Sequence, residues 1–483
     1  MRHAVLALAV LAGSAAQAQA LTECRVAGIR NSVQCGVVQR ALDPARPDGP
    51  KIAVHYVVVP AMARRKLPDP VFLLAGGPGQ AAIGVGPQAF GLFSRLNNRR
   101  DIVFVDQRGT GQSAPLECAD AKRERLSDQA GPDQQVALMM QCKAALLKLP
   151  YIKAEADLGF FTTTLAMQDL DAVRAQLGAE RIDLVGISYG TRAALEYMRQ
   201  FPTRVRRSVL DSVAPPDMAL PTSFSTDGQA AFEAQLRACE QQAECTATYP
   251  KLRADWAALL ASLPRPATAA HPLTGRLEHF TLTRDMVLGA VRGALYAPAT
   301  TAALPAAITE AAAGRVEALL GVGALLSSRK GMQLAMGMHF SVVCAEDAPR
   351  LSASDDKPGT DFGTDYATLY QRVCAQWPRG AVPPEFYKVG PSSVPTLLFS
   401  GGADPATPPR HGARVAAALG PAAQHVVVPN AGHSVLGIGC ARDLLYRFID
   451  ASDDKAASAL DASCVKAIPR PGVFIPMSVE AAK

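Results

Sequence analysis

Short, wholly apolar runs that are soon followed by glycine or aspartate constrain the fold of this chain more than any other feature. They lie at residues 71–74, 102–105, 182–185 and 209–210. Runs of this length are typical of buried parallel strands. Between two of them, residues 164–177 place leucine and valine at helical spacing and stop at Gly178. Strand and helix therefore alternate, which predicts an α/β fold whose mostly parallel sheet carries helices on both faces.

This alternation breaks off after Asp211 and resumes near residue 394. The intervening sequence, roughly 180 residues long, is rich in alanine and punctuated by proline, and its pattern is helical. We therefore predict a mainly helical lid over residues 216–385, inserted into a core formed by residues 21–215 and 386–483. A cover of this size above the sheet would control which substrates reach a site there.

The first 20 residues have the order of a secretory signal peptide. Arg2 and His3 precede an apolar run over residues 4–12, and small residues follow up to Ala20. Cleavage is expected before Leu21, so the mature protein would be periplasmic or secreted. The apolar run is too short to span a bilayer and no internal run is longer, so no membrane span is predicted.

Ten cysteines agree with export, because an even number of cysteines suits an oxidising compartment. Pairing them in sequence order closes loops that each stay inside one region, and we predict this connectivity. None of them forms a CxxC pair, so neither a zinc site nor dithiol redox chemistry is supported. No metal or organic cofactor is expected.

Composition and charge exclude several classes of protein. Hydrophobic residues make up 49% of the chain and charged residues 19%, which excludes a disordered chain. The 49 basic and 43 acidic residues leave a net charge of +6, and the basic residues are scattered singly or in pairs. This pattern indicates a solvated surface rather than a nucleic-acid-binding stripe, so no nucleic-acid partner is expected.

A G-x-S-x-G segment at residues 186–190 is the strongest chemical motif. It follows the strand at 182–185 and precedes a helical stretch that ends near Pro202, so it fits a sharp strand-to-helix turn. Such a turn strains and exposes its central residue, and a Cβ at either glycine would collide with the neighbouring strand or helix. We therefore predict that Ser188 is a catalytic nucleophile rather than a solvated turn residue.

A serine nucleophile needs a base within hydrogen-bond reach. Among the eight histidines, His433 lies in a loop directly after the strand at 426–428, from which it could reach Ser188. His411 is the alternative, but it stands beside Pro409 at a predicted helix start and is expected at the surface. We therefore predict that His433 is the base.

The base in turn needs an acid that orients it. Asp404 follows the strand at 394–399 and gives the chain order Ser, Asp, His of the α/β hydrolases. An aspartate before proline is often only a turn former, but the matching strand ends favour the catalytic role. Asp211, which ends the strand at 209–210, is the alternative acid.

The alkoxide that develops during attack needs backbone donors arranged around it. The N–H of Tyr189, next after the nucleophile, is one predicted donor. The glycine-rich loop at residues 75–79 ends a strand and allows close backbone approach, and its Gly77 N–H is the second. This segment does not match a phosphate-binding loop, because it lacks the Lys-Ser/Thr pair of that motif.

Taken together, these motifs resemble those of the exported α/β-hydrolase serine exopeptidases typified by proline iminopeptidase and tripeptidyl aminopeptidase. The resemblance spans roughly residues 50–465 and implies an α/β-hydrolase fold and peptide substrates. Cys440 and Cys464 look like the cysteines of the tripeptidyl-aminopeptidase (TAP) C-terminal region and favour that branch. The motifs that carry it are at residues 76–79, 106–113, 169–174, 186–191, 404–408 and 432–433.

The resemblance also implies cleavage near a free peptide N-terminus, with acidic groups of the lid holding the substrate's α-amino group. Glu346 and Asp347, in the segment Cys-Ala-Glu-Asp, are the predicted pair, and a solvated acidic pair beside a disulfide is the alternative. Proline iminopeptidases usually have histidine where this chain has Ala75, so proline specificity does not follow from the resemblance.

Two other functions fit the same sequence. A carboxylesterase would use the same catalytic groups on esters, and a non-catalytic binding protein could occupy the same scaffold, because a fold does not fix a function. The complete set of serine, histidine and aspartate favours an enzyme over the binding protein. The sequence leaves the oligomeric state open.

Overall fold

The computed structural model describes residues 21–118, 125–129, 131–325 and 333–476. The signal peptide predicted at residues 1–20 lies outside them. The described chain forms a large mixed sheet, helices on both faces of that sheet, and a long insertion that contains a second, smaller sheet.

Two groups of strands with different directions build the sheets. The described strands are β1 (Thr22–Cys24), β2 (Val33–Ala41), β3 (Lys51–Val59), β4 (Val71–Leu74), β5 (Ile102–Val105), β6 (Ile182–Ile187), β7 (Val205–Asp211), β8 (Arg265–Ala270), β9 (Leu277–Leu282), β10 (Thr396–Gly401) and β11 (Ala423–Val428). The large sheet has the order β1-β2-β3-β5-β4-β6-β7-β10-β11, and β8 pairs with β9 alone. The pairs β1–β2, β2–β3 and β3–β5 are antiparallel. The pairs β5–β4, β4–β6, β6–β7, β7–β10 and β10–β11 are parallel.

Helices follow most of the parallel strands and fill the insertion. The described α-helices are α1 (Ala82–Phe93), α2 (Pro132–Leu146), α3 (Thr163–Gln176), α4 (Tyr189–Gln200), α5 (Leu220–Glu240), α6 (Ala243–Thr248), α7 (Leu252–Ala261), α8 (Arg284–Leu295), α9 (Pro298–Thr301), α10 (Leu304–Ala312), α11 (Glu317–Ala324), α12 (Met336–Glu346), α13 (Asp365–Cys374), α14 (Pro409–Leu419), α15 (Ala441–Asp450) and α16 (Asp454–Ser458). Within the described part of the chain, none of these helices has the length and apolar character needed to cross a membrane.

The apolar runs identified the inner strands because those strands are buried on both faces. Every residue of β4 and β5 is buried, and both strands have the predicted limits. The run at 182–185 forms the first four residues of β6, and the run at 209–210 lies within the longer strand β7. We did not predict β1 and β2, whose residues are mixed in polarity and partly exposed at one edge of the sheet.

Two buried clusters lie on opposite faces of the sheet. Tyr56 and Val58 of β3 belong to a cluster that includes residues of α3 and α4. Val57 and Val59 belong to a second cluster, with residues of α1 and α15. Because successive side chains of a strand point to opposite faces, this division confirms that helices cover the sheet on both sides.

The insertion between β7 and β10 has a core of its own. Its described residues form α5 to α13 and the β8–β9 hairpin. Phe232, Trp256, Leu282 and Val291 belong to a buried cluster separate from the two sheet clusters. The insertion is mainly helical, as expected, but the hairpin was not predicted. Its strand β9 alternates exposed and buried residues, as a strand with one buried face does.

The ten cysteines form five disulfides in sequence order, which confirms the predicted connectivity. Each bond closes a loop within one part of the chain, so none of them ties the insertion to the sheet domain. The pairs are Cys24–Cys35, Cys118–Cys142, Cys239–Cys245, Cys344–Cys374 and Cys440–Cys464.

Candidate active site

Four neighbouring parallel strands end at the same edge of the sheet and bring the predicted catalytic residues to that edge. In the order β6, β7, β10 and β11, they are followed or ended by Ser188, Asp211, Asp404 and His433. The carboxyl ends of parallel strands are the usual location of sites in open α/β sheets. The topology therefore explains how positions more than 200 residues apart in sequence reach one region.

Ser188 stands in a strained turn between β6 and α4. Its backbone has φ 57° and ψ −125°, a conformation that residues other than glycine rarely adopt. A Cβ on Gly190 would lie 2.0 Å from the Leu74 carbonyl oxygen, and one on Gly186 would lie 2.4 Å from the Gly190 oxygen. Both flanking positions therefore require glycine, as expected for a turn that presents a serine.

Asp404 and His433 are in direct contact. His433 Nδ1 donates a hydrogen bond to Asp404 Oδ2 over 2.8 Å. The buried carboxylate also accepts from the Ala406 N–H at 2.8 Å, and from the Thr407 N–H at 2.9 Å and hydroxyl at 2.8 Å. These bonds fix the carboxylate and leave the imidazole Nε2 as the free acceptor of a neutral ring.

The contacts of Asp404 and His433 stabilise the ionised form of each side chain. Burial works to raise the pKa of Asp404, but the His433 charge and the hydrogen bonds to the carboxylate outweigh it and lower that pKa. Burial works to lower the pKa of His433, but the Asp404 charge and hydrogen bond outweigh it and raise that pKa above its ordinary value. The imidazole is therefore a stronger base than an isolated histidine.

This raised pKa predicts the acidic limb of the pH profile. A base must be neutral to accept the serine proton, so activity is lost as the pH falls through the pKa of His433. We expect kcat/KM to rise with a midpoint above the ordinary value of 6.5. Initial rates measured from pH 5 to about 9 check this. A midpoint at or below 6.5 would mean that Asp404 does not stabilise the charged imidazole.

Asp211, the alternative acid, binds the loop after the base. Its carboxylate accepts hydrogen bonds from the Ser434 hydroxyl at 3.1 Å and from the Val435 N–H at 2.9 Å. Its backbone carbonyl accepts the Ser188 N–H at 2.9 Å. Asp211 therefore connects the turn of the predicted nucleophile to the loop of the predicted base, a positioning role that we did not foresee.

His411, the alternative base, is buried and lies at the start of α14. Its Nε2 is 2.9 Å from Asp227 Oδ2, and Asp227 belongs to α5 of the insertion. The expectation that His411 lies at the surface is therefore wrong. The sequence beside it marks a helix start, but only the insertion folded against that helix buries the ring.

The predicted oxyanion donors lie on either side of the nucleophile. Tyr189 is the first residue of α4, and its side chain is anchored by a 2.6 Å hydrogen bond to the Thr163 hydroxyl. On the other side, a Cβ on Gly76 would lie 3.2 Å from Ser188 Cβ, so the glycine loop packs directly against the serine. Gly77 follows with φ +111°, which favours glycine. The roles of the Gly77 and Tyr189 N–H groups stay a prediction.

Glu346 and Asp347, the predicted amine-binding acids, are buried and already paired. Asp347 accepts two hydrogen bonds from the Arg192 guanidinium, at 3.0 and 3.1 Å. Glu346 accepts from the Thr163 N–H at 2.8 Å and hydroxyl at 3.0 Å, and lies 3.6 Å from Arg192. Their contacts do not support binding of a substrate amine, because Arg192 and Thr163 occupy the carboxylates. They favour a structural role under α4.

Arg192 is the residue of this cluster that we did not single out. It follows the motif serine by one helical turn and is fully buried on α4. A charged residue inside an otherwise apolar helix stretch is the signal that predicts a buried partner, since a buried charge must be paired. The sequence does not show which carboxylates supply that partner.

A cavity of about 510 Å³ lies beside the site, with walls from α5, α8, α12 and α13. Tyr370 on its wall donates to His339 Nε2 over 2.7 Å, and His339 Nδ1 donates to the Pro78 carbonyl over 3.0 Å. Tyr296, which follows α8, places its ring centroid 4.9 Å from that of His433. Because Arg292 of the wall donates to the Tyr296 hydroxyl, the wall is linked through Tyr296 to the predicted base and through His339 to the glycine loop.

Comparison with known proteins agrees with this architecture. A family model described as the alpha/beta hydrolase fold matches residues 69–268, and one described as TAP-like protein matches residues 359–464. The chain therefore has an α/β-hydrolase fold, and its C-terminal region is similar to the TAP-like family. This result confirms both the predicted fold class and the resemblance on which the TAP-like branch rested.

Two curated relatives of this α/β hydrolase cover most of its length. Serine protease Hip1 of Mycobacterium tuberculosis is 26% identical over 429 residues, which is 82% of this chain and 81% of the relative. Tripeptidyl aminopeptidase of Streptomyces lividans is 26% identical over 406 residues, which is 78% of this chain and 73% of the relative. Both relatives carry the names of peptidases.

Proposed function

We propose that this α/β hydrolase is an exported serine peptidase of the aminopeptidase type, which cleaves peptides near a free N-terminus through an acyl-enzyme. The observation that carries the proposal is the Asp404–His433 hydrogen bond at the sheet edge where the strained Ser188 turn also lies. The similarity to a serine protease and a tripeptidyl aminopeptidase supports peptides as substrates.

In the proposed mechanism, Ser188 attacks the amide carbonyl while His433 accepts its proton and Asp404 orients the imidazole. The Gly77 and Tyr189 N–H groups stabilise the oxyanion of the tetrahedral intermediate. His433 then passes the proton to the leaving amine, and the acyl-enzyme forms. Water activated by the same histidine attacks the ester and releases the acid product.

The cavity supplies carboxylates that suit a free N-terminus better than Glu346 and Asp347 do. Asp285 of α8 and Asp365 of α13 both line it. Burial and then the charge of Asp365 raise the pKa of Asp285, and Arg284 opposes them. Two close carboxylates would be stabilised by an ammonium group, so we assign the amine-binding role to this pair.

Export is supported by the chemistry of the cysteines. Five disulfides join all ten of them, and disulfides persist in oxidising compartments. Together with the signal sequence predicted at residues 1–20, this supports a periplasmic or secreted protein. The mature N-terminus of the protein purified from the cell envelope or medium tests it.

The exopeptidase assignment predicts a strong preference for a free amine. We expect the free peptide p-nitroanilide to be cleaved with a kcat/KM about 10- to 100-fold above that of its N-acetylated form, because a charge-assisted hydrogen bond is lost on acetylation. Replacing both cavity acids, D285N with D365N, should reduce this ratio towards one. Kinetics on both substrates measure it.

The exposed acid Asp355 in the same insertion provides the control, since D355N should leave the ratio unchanged. Equal turnover of free and acetylated peptides by the wild-type protein would defeat the exopeptidase assignment. Turnover of esters without turnover of any peptide would instead indicate a carboxylesterase. Failure to react with any substrate or serine-directed reagent would favour the non-catalytic binding protein.

A further inference from the structure

Arg292 is a cation of the cavity wall without an acidic partner. It lies on α8, and it forms no ion pair with a carboxylate among the described residues. One of its N–H groups donates to the Tyr296 hydroxyl over 2.9 Å, and its buried Nε has no hydrogen-bond partner in the described chain. A partly buried guanidinium on a cavity wall is normally paired, so this one has unused capacity to bind an anion.

Aromatic rings support the flat face of this guanidinium and leave its edge for a ligand. The guanidinium carbon lies 3.8 Å from the centroid of the Phe224 ring and 5.7 Å from that of Tyr366. Such stacking uses the π face of the arginine, whereas a carboxylate binds to the N–H groups in its plane. The rings therefore hold Arg292 in place without satisfying its donors.

Arg292 lies near the reacting groups. Its guanidinium carbon is 5.4 Å from the Tyr296 ring centroid, which is itself 4.9 Å from the His433 ring centroid. The guanidinium is thus at most about 10 Å from the imidazole, a distance that roughly three extended residues span. A side chain on a residue close to the scissile bond can therefore reach it.

The cavity carries charges of opposite sign at two positions along α8. Asp285 and Arg292 both line it and are seven residues apart, so they lie on one face of the helix, about 10 Å apart along its axis. Arg292 is nearer to Tyr296 than Asp285 is, and the Tyr296 ring lies beside that of His433. The positive charge is therefore closer to the predicted base than the acidic pair is. A peptide whose amine binds to the acidic pair would extend towards the predicted base, and the residues after its N-terminus would lie near Arg292.

We propose that Arg292 forms an anion subsite, which selects substrates with a carboxylate on the acyl side of the scissile bond. For peptides, the carboxylate belongs to an Asp or Glu at one of the two residues that precede that bond. This inference rests on the proposed peptidase function for the identity of the substrate, but the subsite itself depends only on a carboxylate in the acyl group. A planar carboxylate would receive two parallel N–H bonds from the guanidinium edge.

Matched peptides test the subsite directly. The probes are tripeptide p-nitroanilides with free N-termini that carry Glu or the isosteric Gln at either of the last two positions. We expect the wild-type protein to prefer Glu over Gln by about 10- to 100-fold in kcat/KM at one of them, from one charge-assisted pair. In R292M this Glu/Gln ratio should fall to about one, and in R292K it should be partly kept.

The ratio is the deciding readout, because any general loss of folding or catalysis affects both peptides alike. The exposed Arg315 of the same insertion supplies a control, and R315M should keep the wild-type ratio. A wild-type ratio near one at both positions would overturn the subsite. So would a Glu preference that R292M retains.

Esters separate failure of the subsite from failure of the peptidase assignment. If no peptide is cleaved, two esters replace the Glu and Gln peptides: the p-nitrophenyl monoester of glutarate, whose acyl group carries a carboxylate, and the neutral p-nitrophenyl valerate. Their ratio of kcat/KM then measures the preference for a carboxylate in the acyl group. A preference for glutarate that R292M abolishes would keep the subsite and overturn the peptidase. If neither class is turned over, slowing of fluorophosphonate labelling by glutarate, lost in R292M, supports the subsite, and no slowing overturns it.

Discussion

Replacing Ser188 by alanine is expected to lower kcat by on the order of 10⁶-fold, an effect matched only by loss of the catalytic base. The reason is that the acyl-enzyme cannot form without the hydroxyl, and the remaining donors only bind and polarise the substrate. Two measurements check it: steady-state turnover of the best peptide, and covalent labelling by a serine-directed fluorophosphonate.

Ser188→Ala should also abolish the labelling, and its fold should be retained. The substitution removes one oxygen from a turn whose backbone strain is held by Gly186 and Gly190 rather than by the serine side chain. The exposed Ser94, which directly follows α1, is a suitable control, and S94A should keep full turnover and labelling. Labelling of a different serine in S188A would place the nucleophile elsewhere.

Replacing Asp404 by asparagine is expected to lower kcat by about 10⁴-fold. The amide would occupy the same volume but carries no charge, and its NH2 group can donate to Nδ1 and hold the ring in the wrong tautomer. The bonds from Ala406 and Thr407 to Oδ1 can persist, so the loop should stay in place. Turnover and circular dichroism measured on the same preparation separate the two effects.

Asp211→Asn is the matched comparison for this prediction. Asp211 accepts from the Ser434 hydroxyl and the Val435 N–H rather than from the imidazole, and an asparagine oxygen can still accept one of these bonds. We therefore expect a smaller loss of kcat than in D404N, together with a lower melting temperature. The reverse order of the two losses would show that Asp211 is the orienting acid.

Local pattern was sufficient for the parallel part of the sheet and for the serine turn. Strands β4 and β5 are buried on both faces, so every position had to be apolar and the runs stood out in the sequence. The turn at Ser188 admits only glycine at two positions, so a five-residue motif is enough to identify it in the sequence. The sequence order of the disulfides followed because each bond closes a short loop.

Contacts between distant segments were beyond such reasoning. The acidic pair at residues 346–347 was expected to face the substrate, but a single arginine of α4 occupies both of its carboxylates. His411 was expected at the surface, but the insertion covers it through Asp227. Whether a polar side chain is free or paired depends on which partner the fold brings to it, and no local pattern records that.

The sequence by itself determined the strand–helix order, the strained serine turn, and the candidate serine, aspartate and histidine that follow three of the parallel strands, because each depends on sterics and burial within a few residues. Only the tertiary structure decided that Asp404 rather than Asp211 contacts His433, that Glu346 and Asp347 are paired with an arginine, and that Arg292 has no acidic partner. Those outcomes depend on the distances between segments far apart in the chain, which are set when the sheet and the insertion pack together.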